Sequence, residues 1–388
     1  MWKYIKSSLD KFIMAIKKKS KKKFKAVIIV GARPNFMKAS PLIRAMNSDG
    51  GIFESILLHT GQHYDSLMND VFFKDLDLPK PLFFLGVGSG THIQQIAKSM
   101  LALEETLVKI KADLVIVVGD VNSTLAGALA AKKLSIPLVH VEAGLRSFDE
   151  AMPEEINRTL TDRMANFLFT TEESANRNLV KEGVNPQKIH FVGNTMIDSL
   201  HYHMPQISKS FILNKLSLDK NNYAVLTMHR PSNVDNKNHF LNIFEALYSI
   251  QKKITIVFPV HPRTRKQMEE LGFEKKFKNL KNLVLIEPLG YIDFMKLVSD
   301  SRLVFTDSGG LQEETTTLGI PCITLRENTE RPVTVEVGTN VIVGTDAQKI
   351  IQEAQSVFDG KFKKGRIPQH WDGKTALRII GILSEKMI

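Results

Sequence analysis

The sequence predicts an α/β protein of two Rossmann-like domains whose parallel sheets face a cleft. Three observations carry this expectation. The chain has 388 residues, too many for one ordinary core and enough for two of similar size. From Lys25 onward short apolar runs alternate with helical stretches, which is the rhythm of βαβ units. That rhythm weakens through His203–Pro205, Ser208–Lys209 and Asp219–Asn222 and then resumes, which puts a domain boundary there.

In the first half the expected strands are Ala26–Val30, Ser55–His59, Leu114–Val118, Pro137–Val141, Phe167–Thr170 and Ile189–Val192. In the second they are Tyr223–Met228, Thr255–Val260, Leu283–Ile286, Leu303–Thr306, Pro321–Leu325 and a shorter one near Asn340–Val343. Strands alternating with helical patterns imply parallel sheets. The implied division is a leader over 1–24, an N-terminal domain over 25–205, a C-terminal domain over 206–370 and a last helix over 371–388 packing back on the first domain.

The leader carries most of the chain's charge. Of the net +11, residues 1–25 supply +9, from ten lysines against Asp10, so the remaining 363 residues are nearly neutral. A basic face for nucleic acid therefore has little support, and no RNA-binding or zinc-finger motif appears. Trp2, Ile5, Leu9, Phe12, Ile13 and Ile16 recur at helical spacing, followed by the lysine run 17–23. Lysines interrupt the apolar face, which excludes a spanning helix and a secretory signal. A solvated tail is the expectation, or a chain start at Met14, with weak contact to an anionic membrane surface as the alternative. Cys322 is the one cysteine; it excludes an internal disulfide and fits a reducing cytoplasm.

Ligands of doubly wound sheets bind beyond the strand C-termini, so residues just after each strand are the candidates. Leu303–Thr306 runs through Asp307 into Ser308-Gly309-Gly310 and then a helical stretch with Gln312, Glu313 and Glu314. Glycines at a helix start expose backbone N–H groups and the positive dipole end to a phosphate, and a carboxylate one turn further suits a ribose. The same stretch also reads as an ordinary helix start capped by Ser308. After the first strand, Gly31-Ala-Arg33-Pro34 leads to Lys38, two cations able to flank a pyrophosphate. No G-x-G-x-x-G accompanies them, which disfavours a nicotinamide cofactor.

Gly119-Asp120, His140-Val141-Glu142-Ala143-Gly144 and Pro153-Glu154-Glu155 bring acids to one rim. Proline followed by glutamates is also a common helix start. Glu142, directly after a strand and before a glycine, has no capping duty and suits a general acid or base. In the second half His229-Arg230 and His261 follow strands, Phe294 offers a ring near a base pocket, and Arg326, Glu330 and Arg331 form a charged loop. No histidine and acid arrangement has metal-ligand spacing, and no G-x-S-x-G turn exists.

Taken together, Gly-Ala-Arg33-Pro-x-x-x-Lys38, Thr60-Gly-Gln62-His63, Gly119-Asp120, His140-Val-Glu142-Ala-Gly-Leu-Arg146-Ser, Pro153-Glu154-Glu155-x-Asn157-Arg158, His229-Arg230 and Asp307-Ser-Gly-Gly-x-Gln-Glu-Glu314 resemble the UDP-N-acetylglucosamine 2-epimerases, from about residue 25 to the end. The resemblance implies a glycosyltransferase-B-type architecture, a homodimer, and neither metal nor nicotinamide. It implies that Asp120, Glu142, Glu154 and His229 carry the chemistry. Arg33, Lys38, Arg146, Arg230, Phe294, Ser308, Gly309, Gly310, Glu314 and Arg331 would bind the UDP-sugar, with Glu314 on the ribose and Phe294 against the uracil. The chain departs from the pattern at His229-Arg230-Pro231-Ser232-Asn233, where many bacterial members have His-Arg-Arg-Glu-Asn, at Asp65, where they have Gln, and over Gly86–His92, where they have an arginine. Those members bind a second, activating UDP-N-acetylglucosamine in that neighbourhood, and the resemblance does not extend to it.

Overall fold

The computed structural model describes every residue except 1–22, 49–50, 62–80, 274–276, 278–279 and 388. The expected leader therefore lies almost wholly outside the described residues, and so do Gln62, His63 and Asp65.

Two all-parallel sheets form. The first has seven strands in the order β3-β2-β1-β4-β5-β6-β7, built from β1 (Phe24–Val30), β2 (Phe53–His59), β3 (Phe83–Phe84), β4 (Leu114–Val118), β5 (Leu138–Val141), β6 (Phe167–Thr170) and β7 (Ile189–Phe191). The second has six in the order β10-β9-β8-β11-β12-β13, from β8 (Tyr223–Thr227), β9 (Thr255–Pro259), β10 (Leu283–Ile286), β11 (Leu303–Thr306), β12 (Cys322–Thr324) and β13 (Asn340–Ile342). Each sheet reverses its winding once, at β1/β4 and at β8/β11, and that is where a crevice opens beyond the strand ends. The expected strands are present, shifted by two residues at most. Sequence reading missed β3, whose two residues pair with Leu58 and His59 and are too few to show a pattern.

The apolar runs fold as strands because both faces are covered. Along β1, Ala26, Ile28 and Val30 enter one core while Val27 and Ile29 enter another, and β4 divides the same way, Leu114, Ile116 and Val118 against Val115 and Val117. Burying each of these larger side chains contributes about 1.5–3 kcal/mol. The first of these cores continues into the second half through Val225, Val257 and Val304, so the two sheets share packing as well as a cleft.

The helices flanking the sheets include α1 (Arg33–Ser48), α2 (His92–Ile110), α3 (Asn122–Lys133), α4 (Pro153–Met164), α5 (Glu173–Lys181), α6 (Thr195–Ile207), α7 (Gly309–Leu318), α8 (Pro332–Glu336) and α9 (Thr375–Met387). The last returns to the first half. Asp198 of α6 accepts from the Thr375 and Ala376 amides at 3.1 and 2.7 Å and so caps α9 from another helix. Trp371, fully buried, donates its indole N–H to the Thr171 carbonyl at 2.9 Å.

Candidate active site

Three strand-to-helix turns build the N-terminal rim. Asn35 ties two of them together: its Oδ1 accepts from the amides of Gly31 and Ala32 at 3.2 Å each, and its Nδ2 donates to the Val118 carbonyl at 2.9 Å. One turn into α1, buried Lys38 reaches the same place. Gly119 makes room for it, with φ of 66° and an imagined Cβ 3.0 Å from the Lys38 Nζ.

Glu142, just past β5, is buried and has φ of 72°, a left-handed conformation that costs a residue with a side chain about 1–3 kcal/mol. The amides of Glu142 and Ala143 both donate to the Phe169 carbonyl at 3.0 Å, which fixes the turn. Its Oε1 accepts from Lys38 at 2.7 Å and from Arg331, across the cleft, at 2.8 Å. Its Oε2 is buried and has no hydrogen-bond partner among the described residues. One carboxylate thus has an anchored oxygen and an uncommitted one.

Asp120 lies beside this pair. Burial pushes its carboxyl up, but Arg158, Lys38 and Arg331 together outweigh burial and hold it below the usual carboxylate range. Arg158 donates to it through Nη2 and to Glu155 through Nη1. Glu155 in turn accepts from the Ser147 and Phe148 amides at 3.0 and 3.1 Å, so it braces the 145–150 loop. Neighbouring Glu154 is half-buried and makes no hydrogen bond or ion pair with the described residues; its charge acts on Arg230 of the opposite rim.

Arg146 is not brought to this group. Its Nε and Nη2 donate to Glu182 at 2.8 and 2.7 Å, and its Nη1 pairs with Asp162 at 2.8 Å and donates to the Leu145 carbonyl at 2.7 Å. The guanidinium is held by these framework contacts. The side chain of Arg33, which opens α1, lies outside the described residues.

Asp307 organises the C-terminal rim. It is fully buried after β11 and accepts from the His229 amide, the Arg230 amide and the Asn233 side chain at 2.9–3.2 Å. The His229 Nδ1 sits 3.0 Å from its Oδ1, which leaves Nε2 of that half-exposed ring without a partner among the described residues. Burial pushes the Asp307 carboxyl up, but His229 and the backbone donors hold it below its ordinary value. Helix α7 starts immediately afterwards. Ser308 occupies the N-cap but makes no side-chain hydrogen bond to the helix, so the reading of it as an ordinary cap does not hold. The first amides, at Gly309 and Gly310, have no partner within the helix and no side-chain cap, which suits an anion.

Further into α7, buried Glu314 accepts from the Tyr291 hydroxyl at 3.1 Å, and Phe294 stands one turn after Tyr291, half-buried against the core. Glu330 gathers Arg326 at 2.9 Å and Arg230 at 3.6 Å; burial opposes its ionisation, yet these cations and Arg331 keep it ionised well below the usual range. Sequence reading gave Asp307 and Arg158 no role, Glu313 only a place beside Glu314, and Glu330 only a place in a charged loop. Asp307 carried the same signal as Glu142, a carboxylate directly after an apolar strand.

Two parallel-sheet domains that meet beyond their strand ends, acids on one rim and an uncapped helix start with cations on the other, define a two-domain enzyme of glycosyltransferase-B-type architecture. The chain belongs to the UDP-N-acetylglucosamine 2-epimerase family: that family's model matches residues 44–384. A UDP-N-acetylglucosamine 2-epimerase of Methanocaldococcus jannaschii is 43% identical over 371 residues, 93% of this chain and 99% of that protein. A UDP-2,3-diacetamido-2,3-dideoxy-D-glucuronate 2-epimerase of Pseudomonas aeruginosa is 40% identical over 335 residues, 86% of this chain and 92% of that one. The crystal structure of the Methanocaldococcus jannaschii enzyme with UDP-GlcNAc and UDP superposes with a TM-score of 0.85 at 43% identity, covering 93% of this chain and all of that one. A glycosyltransferase of Rickettsia africae shares the fold alone, with a TM-score of 0.57 at 14% identity over 94% of this chain and 98% of that one. The chain is an enzyme of the isomerase class.

Proposed function

We propose that this chain interconverts UDP-N-acetylglucosamine and UDP-N-acetylmannosamine by inverting C2, through elimination of UDP to 2-acetamidoglucal and its re-addition. The observation that carries this reading is the divided Glu142 carboxylate, with Oε1 held by Lys38 and Arg331 and Oε2 uncommitted, opposite the open start of α7.

C2 of the sugar is not next to a carbonyl, so its proton is too weakly acidic to be removed directly. Departure of UDP from C1 changes that, because charge develops toward an oxocarbenium ion and the neighbouring C–H bond loses electron density. The uncommitted oxygen of Glu142 suits a base at that moment. The diphosphate gains charge as it leaves, and the α7 amides, His229, Arg230 and Arg331 suit its stabilisation, each charge-assisted hydrogen bond contributing about 1.5–3 kcal/mol. Lys38 and Arg33 would flank the same phosphates, Ser308 and Gly309 would seat them, Glu314 would take the ribose and Phe294 the uracil. Asp120 and Glu154 lie on the rim from which a proton returns to the other face.

Exposed apolar side chains on α2 (Ile93, Leu101, Val108) and α4 (Ile156, Leu160), the helices flanking α3, support a homodimer. No described helix is long and apolar enough to cross a membrane, and the single buried cysteine suits a cytoplasmic site. Weak contact of the lysine-rich leader with an anionic membrane surface stays the alternative to a solvated tail.

Incubation with UDP-N-acetylglucosamine in deuterated water tests the reaction. Epimerisation puts one deuterium at C2 with the UDP linkage intact. Free N-acetylmannosamine and UDP would instead reveal a hydrolysing enzyme, and exchange confined to the diacetamido uronate would move the substrate to that of the Pseudomonas relative.

A further inference from the structure

Behind Arg331 lies an acid that the reaction above leaves unused. Glu313, in the first turns of α7, is fully buried, and neither of its carboxylate oxygens has a hydrogen bond among the described residues. The Arg331 Nε sits 2.6 Å from its Oε1, at an angle that leaves neither atom hydrogen-bonded. The same guanidinium extends Nη2 to Glu142 Oε1 at 2.8 Å. One buried cation therefore spans two carboxylates from opposite halves of the molecule.

The surroundings decide how such an acid behaves. Burial pushes Glu313 up to about 7; Arg331, from the start of α8, opposes this, Glu142 after β5 adds to it, Lys38 of α1 opposes it and Glu172 after β6 adds to it. An ionised carboxylate without hydrogen bonds is costly to bury, and such a group persists where a cation depends on it.

We propose that Glu313 is a positioning residue for the epimerisation: it anchors Arg331 at Nε while Nη2 transfers from Glu142 to the departing diphosphate. This role rests on the elimination set out above. As the C1–O bond breaks, its electron pair goes to the diphosphate oxygen, the C2–H pair becomes the C1=C2 bond, and the proton goes to Glu142 Oε2. Glu142 is then neutral and its hold on Nη2 weakens as negative charge grows on the diphosphate. A guanidinium fixed at one end needs only to turn, and on re-addition it turns back when Glu142 is again ionised.

Kinetics of Glu313→Gln, with C2 deuterium exchange and UDP binding measured in parallel, test the role. The Gln variant is expected to lose about 10- to 100-fold in kcat, the worth of one charge-assisted contact, while its Kd for UDP stays within about threefold. Wild-type kcat should fall as pH drops through about 7, where Glu313 takes up a proton, and this limb should vanish in the Gln variant. Glu313→Asp should keep the limb with an intermediate kcat. Unchanged kcat with the limb retained in the Gln variant overturns the role, and so does a loss confined to KM and UDP affinity. If the Gln variant does not fold, a missing limb in the Asp variant overturns it equally. Absence of C2 exchange in the wild type removes both the elimination and this role, whereas equal exchange in wild type and Gln variant removes the role alone.

Discussion

The two rims of the cleft handle charge in opposite ways. On the N-terminal rim the acids face inward and cations cover them: Lys38 and Arg331 on Glu142, Arg158 on Asp120. On the C-terminal rim the acids sit behind and hold the donors forward, Asp307 behind His229 and the Arg230 amide, Glu330 behind Arg326 and Arg230. The first arrangement suits groups that change protonation, because their reacting oxygens are shielded from water. The second suits recognition of an anion, because oriented donors and a helix start meet it without rearrangement. Arg331 pairs with Glu313 of its own half and Glu142 of the other, and it is where the two schemes join.

Substituting the reacting acid should break the comparison most severely. Glu142→Gln keeps the shape of the side chain but removes the carboxylate proposed as the base, and a lost general base costs on the order of 10²–10⁴ in rate. C2 exchange should fall by that factor in the deuterium assay. UDP affinity, measured by titration calorimetry, should hold or rise, because Lys38 and Arg331 are released toward the diphosphate. Exchange at the wild-type rate would remove Glu142 from the chemistry.

Asp307→Asn should do the reverse. Asn has one acceptor oxygen where Asp307 receives two backbone amides, the Asn233 amide and His229, so at least one donor is left unpaired and His229 loses its orientation. UDP binding should weaken by about 10- to 100-fold, the cost of one or two charge-assisted bonds, with a smaller fall in kcat at saturating substrate. A fall in kcat as large as that of Glu142→Gln would mean that the rims are not divided as described.

Much of this arrangement was legible in the sequence, and the part that was not has a physical explanation. Strands such as β1 and β4 could be read because both their faces are apolar, and the helix start at Gly309-Gly310 because glycines after a strand expose backbone. Glu142 stood out as an acid at a strand end, and Asp307 offered the same signal but was overshadowed by the glycines that follow it. Partner choice could not be read. Arg146 lies four residues past Glu142, yet the chain turns at Gly144, with φ of 78°, and delivers the guanidinium to Asp162 and Glu182. The contact between Arg331 and Glu142 joins residues 189 positions apart and exists only after the halves have packed.

The smallest expected effect concerns Glu172, which sits just beyond β6 and, unlike Glu142, has no ion pair among the described residues. It borders a cavity of about 240 Å³ between the halves, with Ser174, Phe191, Val333, Glu336 and Gln369 on the walls. Burial pushes its carboxyl up to about 7 from 4.5, against the Ser174 hydroxyl and the more distant Arg331. Between those two values the folded chain binds more protons at this site than the unfolded chain. Its contribution to stability is therefore present at low pH and is lost as pH rises from 4.5 to about 7. The full loss amounts to about 3 kcal/mol above that window. Glu172→Gln removes the titration, so the variant should match the wild type near pH 4.5 and exceed it in unfolding free energy by up to that amount at pH 8. Denaturant melts at the two pH values check this directly. A difference between variant and wild type that is independent of pH would show that Glu172 is paired in solution after all, and the contrast between the covered acid of the rim and the uncovered acid behind it would disappear.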